Sequence, residues 1–178
     1  MGSLLTAHHL FSRMDVMQTF LPEADFSKTA KHLDRKRLIK QSVENLQVLK
    51  SLAGYYDESG AWKNHPAVKM WQGHEDWLFL YNESIIKEII MRGYNNTTHI
   101  KFDEIYQENF INMESDRPWW LGDEKLHYSH KGRLYEKDPD KYYFYSEFAD
   151  YRDLGYTCCE SCSYYWPTHV EKENESNI

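Results

Sequence analysis

Apolar side chains recur at three- and four-residue spacing over two long stretches of the chain, and no stretch alternates convincingly at a period of two. The first stretch, residues 26–53, contains neither proline nor glycine. Asp25 is placed to cap it, and Gly54, Asp57, Ser59 and Gly60 form a turn-rich exit. The second follows His65-Pro66 and covers 67–92. Met70, Trp77, Tyr81, Ile85 and Ile89 mark its apolar face, and Gly93 suits the left-handed position just past a helix end. From Asn95 to Pro118 the pattern weakens and allows one short helix, at about 102–109. A third helix is expected from about Gly122 to Lys137, with Asp123 and Glu124 at the positive end of its dipole and Asp138-Pro139 as its stop.

These elements predict a mainly α protein: a compact single domain of about three long helices, with irregular connections and an irregular Tyr-rich C-terminal segment. Residues 1–16 read as an extension ahead of Met17, 17–170 as the domain, and 171–178 (EKENESNI) as a disordered tail. A length of 178 residues suits one domain. No apolar run is long enough to span a membrane and no signal peptide is visible, so an intracellular, membrane-free protein is expected.

Charge changes the picture. A net charge of −7 argues against holding nucleic acid through the whole surface. Residues 28–40, however, set Lys28, Lys31, Arg35, Lys36, Arg37 and Lys40 against the single acid Asp34, so this stretch is +5 and the rest of the chain −12. A local basic footprint on an acidic body fits a nucleic-acid contact. Three clustered cysteines, Cys158, Cys159 and Cys162, do not make a secreted disulfide framework. With His169 they offer half of a zinc site, but no second CxxC exists, and neither metal nor cofactor is expected.

One carboxylate stands out. Glu44 shares a helical face with Phe26, Ala30, Leu33, Arg37 and Val48, flanked by Lys40 and Gln41. It is either a structural ion-pair partner or a carboxylate at the floor of a cationic cleft, and spacing does not decide between the two.

The ordered segments MQTFLPEADF (17–26), LDRKRLIKQSVENL (33–46), NHPAVKMW (64–71), RGYN (92–95), WWLGDEKLHYSHKGRLYEKDP (119–139) and YYWP (164–167) resemble the pyrimidine-dimer DNA glycosylase family. These are the phage-type endonuclease V enzymes and especially their cellular relatives. The resemblance covers most of residues 17–167. It implies a helical monomer that binds damaged duplex DNA, flips a nucleotide out, cleaves the glycosidic bond of a pyrimidine dimer or related lesion, and breaks the strand by β-elimination. In that family the nucleophile is an N-terminal α-amine, which here would lie near Met17 or Gln18 if the chain is processed. The helix-borne glutamate of the family falls on Glu44. Arg37, Lys40, His65, Lys69, His127 and His130 become candidates for DNA contact, and Trp71 or the Trp119-Trp120 pair candidates for filling a displaced stack, with core packing the commoner use of tryptophan.

The chain departs from the phage pattern in three ways. It carries sixteen residues before Met17, Val43 stands where an arginine precedes the glutamate, and Gln47 replaces a second arginine. A start at Met17, proteolysis, or a lysine nucleophile such as Lys28, Lys40 or Lys69 would restore an amine. A monofunctional glycosylase needs none. The alternative function is a non-catalytic DNA- or damage-binding protein that uses the basic 28–40 helix.

Overall fold

Two polar stops divide what the periodicity reads as unbroken helices. A computed structural model describes residues 18–56, 63–157 and 163–167. Helix α1 (Phe26–His32) starts at Asp25, whose side chain accepts from the Lys28 amide at 2.8 Å. It ends at Leu33, and Asp34 opens α2 (Arg35–Leu52) by accepting from the amides of Lys36 at 2.8 Å and Arg37 at 3.2 Å. The freed carbonyls of α1 are taken by Arg92, whose guanidinium donates to Leu33 and Lys31 at 2.7 Å and to Ala30 at 3.3 Å. The single helix expected over 26–53 is therefore two. Phe26, Ala30 and Leu33 do not share a helix with Glu44.

The stretch 67–92 also divides. In α3 (Pro66–Trp71) proline occupies the first turn, where its missing amide hydrogen does no harm, and His65 caps by accepting from the Ala67 amide at 3.1 Å. Gly73, at φ 82°, turns the chain into α4 (Glu75–Met91), which closes on Gly93 at φ 71°. The weak pattern after Asn95 becomes α5 (Thr98–Asn109), a little longer than expected. Helix α6 (Glu124–Lys137) begins at Asp123, as the sequence predicts, and a 3-10 segment, Tyr143–Phe148, follows it. The fold is mainly α, and no strand occurs among the described residues.

Helix α4 is central, packing against α1, α2, α3 and α5. Its Tyr81 stacks on Trp71 with ring centroids 5.7 Å apart, and Trp120 meets Trp71 edge-on at 4.9 Å. Trp71 and Trp120 are buried core, whereas Trp119 is 56 % exposed. Helix α6 packs on the 3-10 segment and its exit, and Gly132 permits the close approach. A Cβ there would lie 2.3 Å from the Phe148 carbonyl oxygen and from the Tyr151 ring.

Candidate active site

The site forms where an extended segment, residues 18–21, bridges α6 and the α2–α4 body. Pro22 disfavours helix at Leu21, and among the described residues there is no strand for the segment to pair with. Side chains take over that role. Gln41 of α2 accepts from the Phe20 amide at 2.9 Å and donates to the Gln18 carbonyl at 3.1 Å. Tyr81 of α4 donates to the Phe20 carbonyl at 2.6 Å, and the Trp71 indole of α3 donates to the Thr19 hydroxyl at 3.1 Å. On the α6 side, His130 Nδ1 accepts from the Leu21 amide at 3.1 Å, and His127 Nδ1 lies 2.8 Å from the Leu21 carbonyl. A buried main-chain polar group needs a partner, and here it finds one in a side chain from another element.

Glu44 lies where this segment begins. It is 2 % exposed, and neither carboxylate oxygen receives a hydrogen bond of good geometry. Lys40 Nζ, one turn earlier on α2, sits 3.2 Å from Oε1 on the open side. Burial pushes the Glu44 carboxyl up to about 7, against the opposing pull of Lys40, of Lys137 and of the Gln18 main-chain amide that faces it. A carboxyl poised near neutrality can take up and return a proton under ordinary conditions.

Lys137, at the end of α6, completes the surroundings. Its ammonium donates to Gln18 Oε1 and to the Tyr164 hydroxyl, both at 3.1 Å, and Gln18 Nε2 donates to Tyr164 at 2.6 Å. Two cations from different helices thus act on Glu44, which faces a main-chain nitrogen whose residue is fixed from several sides. Periodicity does not reveal Lys137 or Tyr164. Their signal lies in the segments GRLYEKDP and YYWP, which matter here through their placement and not through any pattern of their own.

The other sequence candidates separate by environment. Lys40 is solvent-facing beside Glu44, and Lys69 is half-buried on α3. His65 caps α3 and lies edge-on to Trp166, with ring centroids 6.2 Å apart. Arg37 is occupied: it pairs with Asp34, approaches Asp138 at 3.7 Å, and stacks on Tyr142 with its guanidinium carbon 5.0 Å from the ring centre. His127 and His130 share a face of α6, as expected, but that face is buried on segment 18–21 and not open to a phosphate. Met17 and the cysteine tract lie outside the described residues. Among the described residues no group of three or more His, Cys, Asp or Glu side chains could hold a metal ion, and no helix is long and apolar enough to cross a membrane.

Residues 17–102 match a family model described as pyrimidine dimer DNA glycosylase. Over these residues the chain is similar to the pyrimidine dimer DNA glycosylase family. The span matched to this glycosylase family includes Gln18, Lys40, Gln41 and Glu44, while His127, His130, Lys137 and Tyr164 lie beyond it. No curated protein and no solved structure matches the chain. The glycosylase match supports DNA glycosylase activity in general, and with it a DNA substrate.

Proposed function

We propose that the protein excises a damaged base, a pyrimidine dimer or a related lesion, from a nucleotide flipped out of duplex DNA, with Glu44 as the essential carboxylate. The observation that carries this reading is the environment of Glu44: a buried carboxyl titrating at about 7, flanked by Lys40 and Lys137 and facing the main-chain nitrogen of Gln18. In a form of the chain that begins at Gln18, that nitrogen is a free α-amine. The two ammonium groups favour its uncharged, nucleophilic form.

The chemistry follows from the arrangement. The amine attacks C1′ of the damaged nucleoside and the base departs with the glycosidic electron pair. Glu44, as carboxylate, offsets the positive charge that develops on the sugar and accepts a proton from the attacking nitrogen. Opening of the sugar ring gives a Schiff base. Loss of a C2′ proton then expels the 3′ phosphate by β-elimination. Lys40 and Lys69 meet backbone phosphates beside the lesion. A chain that keeps its upstream residues has no amine at this point, and Glu44 would then activate water in a monofunctional glycosylase.

Borohydride trapping on duplex DNA carrying a pyrimidine dimer or an abasic site tests the reading. The full chain, versions starting at Met17 and at Gln18, and Glu44→Gln in the Gln18 version are compared. We expect a covalent protein–DNA band with the Gln18 version, attached through its amino terminus, and none with Glu44→Gln. If no version is trapped on DNA that it binds, the lyase step falls. If base release is also absent, a non-catalytic damage-binding protein remains.

A further inference from the structure

Helix α6 spends two histidines on one peptide group. The Leu21 amide donates to His130 Nδ1 at 3.1 Å, so the proton of that neutral ring sits on Nε2. The Leu21 carbonyl, 2.8 Å from His127 Nδ1, requires a proton on that nitrogen, and His127 Nε2 accepts from the Gly122 amide at 3.0 Å. The two rings, three residues apart, are therefore held in opposite tautomers, and each is neutral. Burial pushes both toward that form, His130 down to about 3 with help from His127 and Lys137, and His127 also below its ordinary value.

The pair satisfies both polar groups of the buried Leu21 peptide and, in doing so, fixes where that peptide lies. His130 is fully buried against Tyr164 and Trp166, with ring centroids at 4.9 Å and 6.1 Å, and its Nε2 has no hydrogen-bond partner. An apolar residue in its place would remove that orphaned ring nitrogen but strand the buried Leu21 amide. The ring leaves its own Nε2 unbonded and holds the Leu21 peptide in one place.

We propose that His127 and His130 are positioning residues: by gripping both polar groups of the Leu21 peptide in opposite tautomers, they fix the register of segment 18–21 and so the placement of the Gln18 nitrogen against the Glu44 carboxylate. They touch neither DNA nor the reacting atoms. Glu44, Lys40 and Gln41 come from α2, so the pair also sets α6, with Lys137 at its end, in the correct place relative to α2. The proposal rests on the glycosylase reading for its catalytic consequence, but its structural content stands apart from that reading.

Three measurements test it: spectra and titration on the full chain and its variants, and excision on whichever of the full chain and the form beginning at Gln18 is active. Ring ¹⁵N spectra of the unmodified protein should show Nδ1–H for His127 and Nε2–H for His130; equal tautomers, or averaging between them, overturn the proposal. Single-turnover excision by His130→Leu should fall by about ten- to a hundredfold, the penalty of misplacing reacting groups by a fraction of an ångström to one ångström. Its Kd for the lesion duplex should be unchanged. In His130→Asn, Oδ1 can replace Nδ1 as the acceptor, and most of the rate should return; equal rates in all three proteins overturn the proposal. The Glu44 carboxyl titration, followed by ¹³C NMR, needs no activity. Its midpoint should move in His130→Leu and stay in His130→Asn, and an unmoved midpoint in both overturns the proposal. Failure of both the full chain and the form beginning at Gln18 to excise, with the midpoint shift present, sinks the glycosylase reading and leaves the clamp. If His130→Leu does not fold, the ring spectra decide.

Discussion

Two carboxylates ten residues apart at the start and middle of α2 meet opposite fates. Asp34 is surrounded by donors: the Lys36 and Arg37 amides, the Arg37 guanidinium, and the Tyr142 hydroxyl at 2.7 Å. Burial pushes its carboxyl up, but the hydrogen bonds from Arg37 and Tyr142 outweigh burial and hold it below the ordinary value. Glu44 is more deeply buried, has Lys40 on one side, and is raised to about 7. A saturated carboxylate is a stable cap with no reason to bind a proton. A starved one exchanges protons near neutrality and destabilises the fold whenever it is charged.

The comparison is broken most sharply at Glu44 itself. Its folded-state value, about 7, lies above the ordinary 4.5, so across that window the unfolded chain has shed a proton that the folded chain keeps. Stability therefore falls as pH rises from 4.5 to 7, by on the order of 3 kcal/mol from this group. Urea unfolding at pH 5 and pH 8 should show that slope in the unmodified protein and its loss in Glu44→Gln, which should also lose excision; an unchanged slope would refute the environment described for Glu44.

Asp34→Ala should do the reverse, lowering stability by roughly 1–3 kcal/mol through the lost cap and the partners left unpaired. Its excision rate per folded molecule should be unaltered. A large fall in rate at unchanged stability would erase the distinction between the two carboxylates.

The smallest effect sharpens the picture. Lys137 opposes the upward shift of Glu44, so Lys137→Met should move the midpoint of the acidic limb of the excision rate to higher pH. A pH profile of single-turnover rate reads this, and a downward shift would place Lys137 outside the field of Glu44.

Much of this was legible locally. Asp25, Asp123 and Gly93 act as the sequence suggests, because caps depend on residues within one turn. The break at Leu33–Asp34 was less visible. Neither residue breaks helices, and the guanidinium that takes the α1 carbonyls arrives from Arg92. Glu44 was identifiable as the exceptional carboxylate, but Gln18 and Lys137, which act on it, and Tyr164, which bonds to both of them, lie far from it in the chain, beyond the reach of any periodicity. The inward aim of His130 had a signal: Leu126, His130 and Leu134 repeat at four-residue spacing, and all three are buried. Reading His130 with the leucines, and not with the basic residues, would have placed it inside.

The side-chain grip on residues 18–21 also bears on how the amino-terminal end of the chain is handled. Exopeptidases need a terminal residue they can draw into an extended, unobstructed cleft. Gln18, Thr19, Phe20 and Leu21 are buried and tied by hydrogen bonds to four helices. To draw in Gln18, a peptidase approaching from upstream would have to break these bonds and expose this segment first.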